Sequence, residues 1–352
     1  MFEKILYATE KIFAFIFTLI YTWGKKKEGE IIKEIDAKTK LVLMRRLAEV
    51  AEMAGFAVLE SKVAIEDISS EKQHEGSSID IVARTAVIQG LEKKLPKLQG
   101  NLRFEMLPYG KKLAEITNDS ITANLIIDEI DGSTNTKRAM ASKLSGVPKA
   151  AVCIALCSGE TLEGLQIGVI FTLDTKEVFA GERIEDGVFY TYKNKELIYP
   201  EDVCKMRGDS KYRVLVIKYS NSRRIEIAKV EEAFWQQGFR PYEGCRSSSM
   251  DILGIARNQF DAYVDIRALF PAECGAQLQA YDIAAVIPVA LGLGLKISDV
   301  FGKSWEDYGE NEAIPLVVSR PEIYDNIMKS LEPIVRELSE KYKYKRRDSN
   351  GS

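Results

Sequence analysis

Asp128 and Asp131 stand three residues apart in the segment Asp128-Glu129-Ile130-Asp131-Gly132-Ser133-Thr134-Asn135, directly after the apolar run Leu125-Ile126-Ile127. Carboxylates at that spacing reach one hard cation across a tight turn, with the Ile130 carbonyl as a further oxygen ligand. Gly132 permits close backbone approach, and a helix opening at Ser133 would turn free N–H groups toward an anion. A divalent ion and a phosphate would then meet at one turn. Read without that chemistry, the same residues are an Asp- and Gly-rich turn that serves backbone geometry only.

A second acid, Asp282, opens a helix in Tyr281-Asp282-Ile283-Ala284-Ala285, where an aspartate ordinarily caps. Asp265 ends Phe260-Asp261-Ala262-Tyr263-Val264-Asp265, a strand pattern, and without a ligand it reads as a strand-end carboxylate in solvent. The only histidine, His74, lies in the polar stretch SSEKQHEGSS and reads as an exposed loop residue. A Ser/His/Asp or Cys/His nucleophile would depend on that one side chain. Acid and base chemistry falls instead to carboxylates, hydroxyls and water activated by a metal.

These segments together resemble the inositol monophosphatase family. Asp128 to Asn135 resembles its DPIDGTTN signature, Tyr281 to Ala285 its WDxAAG motif, Phe260 to Asp265 its ADAYYE-type strand, and Ser77-Ser78-Ile79-Asp80-Ile81-Val82 its SSPVDLVT. The resemblance spans roughly residues 39–331 and keeps the family's order. It implies a Mg²⁺-dependent phosphomonoesterase acting on a small phosphorylated metabolite such as inositol monophosphate, working as a homodimer. It implies metal ligation by Asp128, Asp131, Asp282 and the Ile130 carbonyl. It places Ser133 where the family's threonine positions the attacking water, so that Ser133 and Asp128 carry the catalytic roles. Phosphate would be bound by the N–H groups of Gly132 and Ser133, a substrate hydroxyl by Asp265, and the substrate also by Ser247, which aligns with the serine of RxxGS.

The match departs from the family at three places. The strand-to-helix aspartate that helps activate the water falls at Ala86. The GEE motif has no clear copy, leaving Glu105 as the candidate ligand, with Glu115 and Asp119 behind it. In GCRSSSMD, Arg246 occupies the glycine of RxxGS and Glu243 the arginine, so the pocket should differ in shape. Fructose 1,6-bisphosphate and nucleotide bisphosphates stay open as substrates, since Asp265-Ile266-Arg267 resembles the DVR of archaeal members. A degenerate member that binds metal or phosphate without turnover stays open as well. Two insertions, Thr136 to Ala151 and Ala268 to Ala280, are expected at the mouth of the cleft, where Lys137 and Arg138 could attract a phosphate or stand as solvated charges.

A phosphate ester hydrolyses slowly because one anion must attack another. Mg²⁺ ions neutralise that charge, orient the ester and lower the pKa of a bound water. The carboxylates then need only hold the metal.

Composition is consistent with such a protein. The 352 residues are 46% hydrophobic and 29% charged, ordinary for a soluble globular chain with a large core. A net charge of −3, with basic and acidic residues interleaved, excludes the general basic field that holds nucleic acid. The five cysteines are scattered, without a CxxC pair, so neither a zinc site nor a disulfide framework is expected. A reducing, cytoplasmic compartment fits them best.

Residues 1–35 form a hydrophobic extension. Its continuous apolar run, IFAFIFTLIYTW from Ile12 to Trp23, is short for a spanning helix. No small-residue cleavage site follows, and Lys25, Lys26 and Lys27 come next, against a removed signal peptide. Three readings stay open: membrane-surface contact through residues 5–23, a short anchor, or packing against a partner subunit.

The elements that must position the acids follow from periodicity. Leu43, Leu47, Val50, Ala54 and Val58 recur at helical spacing. Ile79 to Val82 reads as a short strand ahead of a helix ending near Pro96. Residues 150–192 give consecutive strands separated by Ser158, Gly159, Asp174 and Gly187, an antiparallel meander. From residue 211 strands and helices alternate, ending in a helix near Pro321 to Tyr342. The expected organisation is an α+β half at 36–200 carrying the metal motif, an α/β half at 201–343, and a disordered tail at 344–352. The fold class implied is α/β, a layered α/β/α/β/α sandwich.

Overall fold

The computed structural model describes residues 37–61, 78–95, 106–107, 124–141, 148–158, 161–203, 211–219, 221–309 and 312–344. His74, Glu105, Glu115, Asp119 and the apolar run at 5–23 lie outside the described residues, as does the tail from 345. Among the described residues no helix is long and apolar enough to cross a membrane.

Five layers alternate. The outermost holds α1 (Ala37–Glu60) and α2 (Ser78–Lys94). Beneath it runs a seven-stranded sheet in simple sequential order: β1 (Met106–Leu107), β2 (Asn124–Asp131), β3 (Ala151–Cys157), β4 (Leu165–Thr172), β5 (Val178–Glu185), β6 (Val188–Lys193) and β7 (Glu196–Ile198). Short helix α3 (Ser133–Ala141) follows β2, and α4 (Pro200–Val203) closes the sheet's chain. All pairings except β1 with β2 are antiparallel, as the meander pattern leads one to expect.

The second half supplies β8 (Arg213–Val216), α5 (Arg224–Gln236), β9 (Arg240–Tyr242), α6 (Ser248–Ala256) and β10 (Ala262–Asp265). It continues with α7 (Ala280–Ala284), α8 (Val286–Gly292), β11 (Lys296–Asp299), β12 (Leu316–Ser319) and α9 (Pro321–Tyr342). Its five strands are ordered β11-β12-β10-β8-β9, with β10, β8 and β9 parallel. Helices α6, α7 and α8 form the layer between the two sheets, and α5 and α9 cover the far face of the second.

Strand alternation sorts the side chains into these layers. In β3, Val152, Ile154 and Leu156 join α1 and α2, while Ala151, Cys153, Ala155 and Cys157 join the middle layer. Successive side chains on a strand point to opposite faces, so each sheet belongs to two cores at once. The inward residues of the first sheet are small because α7 and α8 press close. A Cβ on Gly168 would collide with the Ala285 carbonyl, and one on Gly181 with the backbone of Pro288. The middle layer over the first sheet therefore comes from residues far downstream, and that packing brings Asp282 to the edge of β2. Gly168→Ala is expected to push α8 off the sheet and to destabilise the fold by about 1–3 kcal/mol. Urea denaturation measures this, and an unchanged midpoint would mean that the helix yields at no cost.

The expectation of a strand at Ile79 to Val82 is corrected. Those residues form the first turn of α2. Ile79, Ala83, Val87 and Leu91 recur every four positions and are all buried against α1 and the sheet. That periodicity is helical, and a window of four residues, three of them β-branched and apolar, is too short to show it.

Candidate active site

Strict alternation along β2 would place Asp128 and Asp131 on opposite faces of the sheet. The pairing with β3 shifts between them: Asp128 lies opposite Cys153, Asp131 opposite Ala151. This irregularity turns both acids toward the middle layer, which is how a bulge re-aims a side chain. Glu129, between them, points the other way and is buried in an ion pair with Arg84 of α2, Oε1 to Nε 2.6 Å. Ile130 sits within the irregularity, its side chain buried in the outer core.

The turn that follows is built for close approach. Gly132 has φ +95°, and a Cβ there would lie 2.9 Å from the Lys149 carbonyl oxygen and 3.1 Å from Ser247 Cβ. Only glycine takes both the conformation and the contact without strain. Ser133 then begins α3, whose first N–H groups have no acceptor inside the helix. Asn135 ties the turn to the second half: its Nδ2 donates to the carbonyls of Lys149, 2.7 Å, and Cys245, 2.6 Å. Asn135→Ala leaves both carbonyls unpaired, with an expected loss of about 1–3 kcal/mol in chemical denaturation. A loss too small to resolve would show water replacing the amide at both.

Asp131 is buried and caps α6. Its Oδ1 accepts the Ser248 N–H at 3.2 Å and its Oδ2 the Ser249 N–H at 2.6 Å, a carboxylate on the positive end of a helix. Burial raises its pKa, and these N–H groups with the hydroxyls of Ser247 and Ser249 pull it part of the way back. Ser247 itself is fully buried, the N-cap of α6, its Oγ accepting from Met250 N.

Asp282 lies one layer contact away. Its backbone carbonyl accepts from Ser249 Oγ at 3.5 Å, and its own carboxylate accepts the Gln279 N–H at 2.9 Å, capping α7. Burial first, then Asp131, raises its pKa to about 7. Asp128 is perturbed most strongly. Burial and the charges of Asp131, Asp282, Glu129 and Asp80 push it well above the usual carboxylate range. No hydrogen bond or ion pair from Asp128 forms among the described residues.

Asp128 and Asp131 of β2 and Asp282 at the start of α7 lie near enough for their charges to act on one another. Among the described residues no three acidic, histidine or cysteine side chains are drawn tightly enough to hold a metal ion already. The reason is visible in the contacts, since Asp131 and Asp282 face helix N–H groups. The donor chemistry nonetheless suits a hard cation, because Asp128 is a carboxylate crowded by acids and without a base. Glu105, expected as a fourth ligand, lies outside the described residues.

Asp265 stands elsewhere than expected. It is not in solvent: it is completely buried, and Arg267 clamps it with Nε at 3.0 Å and Nη2 at 2.7 Å. Tyr263 donates its hydroxyl to the same carboxylate at 3.2 Å. Ala86 packs half-buried in the outer core and offers no acid. Asp80, in the first turn of the same helix, is the acid of α2 whose charge reaches Asp128. The sequence reading gave Asp80 no role, though it lies within the segment resembling SSPVDLVT. Asp251 was also passed over: buried on α6, it accepts the Cys245 N–H at 2.9 and 3.1 Å and is raised by burial to about 7.

The comparisons agree with this architecture. Solved structures with the same fold include extragenic suppressor protein suhB from Bartonella henselae, 17% identical, covering 82% of this chain and 98% of that one with a TM-score of 0.61. The IMPase of Thermotoga maritima is 16% identical over 83% of this chain and 97% of its own, TM-score 0.57. Inositol monophosphatase II from Staphylococcus aureus is 12% identical over 85% and 98%, TM-score 0.60. No curated relative matches the chain by sequence. The description of the inositol monophosphatase family matches residues 24–336, nearly the whole chain, and on that match the chain belongs to the inositol monophosphatase family.

Proposed function

We propose that this chain is a Mg²⁺-dependent phosphomonoesterase that hydrolyses a small phosphate ester, of which inositol monophosphate is the simplest example. The observation that carries the reading is the convergence of Asp128, Asp131 and Asp282 beside a glycine turn and the N-termini of α3 and α6. In this reading Asp128, Asp131, Asp282 and the Ile130 carbonyl, with Glu105, hold the metal. When bound, Mg²⁺ neutralises charge on the ester and lowers the pKa of a water.

The residues of the chain do the rest. The N–H groups of Gly132 and Ser133 receive the phosphate at the positive end of α3. The Ser133 hydroxyl orients the water that attacks phosphorus. Ser247 works through structure, holding the start of α6 against Gly132 and keeping the Asp131 carboxylate in place. Asp265 and Arg267 form a buried ion pair whose charges reach Asp282. The reading gains support from the family, whose members are generally metal-dependent phosphatases.

A second reading, metal or phosphate binding without turnover, draws on Ala86, which carries no carboxylate where a base partner is expected. Asp80 weighs against it, because an acid of the same helix still reaches Asp128. Phosphate release from inositol, sugar and nucleotide phosphates, with Mg²⁺ and with chelator, decides between them. Release that needs Mg²⁺ is the expected result; release from none of the panel, or release indifferent to chelator, would overturn the proposal.

A further inference from the structure

Arg246 breaks a local rule. Its φ is +69°, in the left-handed region that L side chains other than Asn and Asp seldom occupy and that glycine enters freely. Strain of this kind persists where function uses it. The loop places Arg246 between two contacts to the aspartate turn. The carbonyl of the preceding Cys245 accepts from Asn135, and the following Ser247 packs on Gly132.

Its side chain is also set apart. The guanidinium lies over the Tyr219 ring, 5.8 Å from the centroid, and Arg267 lies over the same ring at 4.4 Å. Arg267 gives its Nε and Nη2 to Asp265 and its Nη1 to the Tyr219 carbonyl. Arg246 has no carboxylate partner among the described residues. Glu243, the nearest acid along the chain, is turned to Lys218 instead. A half-exposed guanidinium held on an aromatic face, with its donors unclaimed among the described residues, presents a planar fork to a carboxylate or phosphate.

We propose that Arg246 determines specificity by receiving a second anionic group of the substrate, so that esters carrying a further negative charge are preferred over monophosphates of neutral polyols. The proposal rests on the phosphatase reading given above for the aspartate turn, which takes the scissile phosphate. Arg246 stands beside that turn and takes the other end. The competing explanation is that Arg246 only offsets the acids nearby, in which case its loss would affect every substrate alike.

The test compares the full chain with Arg246→Gly and Arg246→Lys on fructose 1,6-bisphosphate and inositol 1-phosphate in the presence of Mg²⁺. Removing a charge-assisted hydrogen bond typically costs about tenfold or more. Arg246→Gly is expected to lower kcat/KM on the bisphosphate by about that factor, chiefly through KM, and to leave the monophosphate within about threefold. Arg246→Lys should recover part of the loss. Glycine suits the backbone at this position, so the variant should melt no lower than the parent. Equal losses on both esters, or no loss on either, would overturn the proposal. If neither ester is hydrolysed, the wider panel of phosphate esters given above tests the phosphatase reading separately. Calorimetric Kd values for the same two esters then carry the test: a drop confined to the bisphosphate in Arg246→Gly supports the assignment, and a uniform change or none refutes it.

Discussion

Asp128→Asn is expected to cut Mg²⁺-dependent phosphate release by roughly a thousandfold, the equivalent of about 4 kcal/mol of transition-state stabilisation, while raising the melting temperature of the metal-free protein. The two effects have one cause. Asp128 sits among Asp131, Asp282, Glu129 and Asp80, and burial together with these charges pushes its pKa up. A carboxyl that holds its proton more tightly folded than unfolded loses stability as pH climbs from its unfolded pKa toward its folded one. Asp282, raised to about 7, adds to the same slope. The metal-free protein should therefore lose stability between about pH 4 and pH 7, and Asn at position 128 should remove part of that loss. Mg²⁺ compensates the same charges, and it should stabilise the parent more than the variant. Calorimetric melting at several pH values, with and without Mg²⁺, measures all of this. A variant that melts lower than the parent without metal, or one that keeps full activity, would contradict the assignment.

Asp265→Asn is expected to act on stability, with a cost of about 3–5 kcal/mol and a fall in melting temperature of roughly 10 °C. Arg267 is buried with it and stacks on Tyr219. Removing the carboxylate leaves a guanidinium uncompensated inside the protein, which is more damaging than never having had the pair. The pH profile carries a further signature. The charge of Arg267 is among the causes that lower the Asp282 pKa and that of Asp265 among those that raise it, so Asp265→Asn should move Asp282 downward. A direct role for Asp265 in binding a substrate hydroxyl would instead raise KM strongly with stability unchanged. Urea denaturation alongside kinetics below the transition separates these outcomes.

Several parts of this arrangement were legible in the amino acids. Strand β2 announces itself through Leu125, Ile126 and Ile127, and the aspartates after it carry their chemistry in their spacing. The meander was readable because Ser158, Asp174 and Gly187 punctuate runs rich in Val, Ile and Phe. The long helices α1 and α9 were readable because their apolar residues keep one period over many turns. Elsewhere the cause lay outside the local window. Ile79, Ile81 and Val82 are β-branched and apolar like strand residues, and only Ala83, Val87 and Leu91 beyond them reveal the helix. The neutralisation of Asp265 comes from Arg267, two residues later, after the chain leaves the strand and folds back in a tight helical turn. Arg267 also lies over the ring of Tyr219, in the loop after β8. The orientation of Asp131 likewise depends on α6, more than a hundred residues away, whose N–H groups no local pattern ties to it. Arg246 gave a partial signal, since an arginine in place of a glycine already suggests an altered pocket, but its left-handed backbone and its seat on Tyr219 required three-dimensional contacts.

Calorimetric titration of Mg²⁺ into the parent, Asp128→Asn and Asp282→Asn, repeated in buffers of different ionisation enthalpy, tests the proposed cation site most directly. Acids held above their ordinary range must release protons when the ion binds. The parent should therefore bind Mg²⁺ with proton release at neutral pH, and each variant should bind at least tenfold more weakly, on the order of 1.4 kcal/mol. Equal affinity in all three proteins, or binding with no proton released, would mean that residues 128, 131 and 282 do not share an ion.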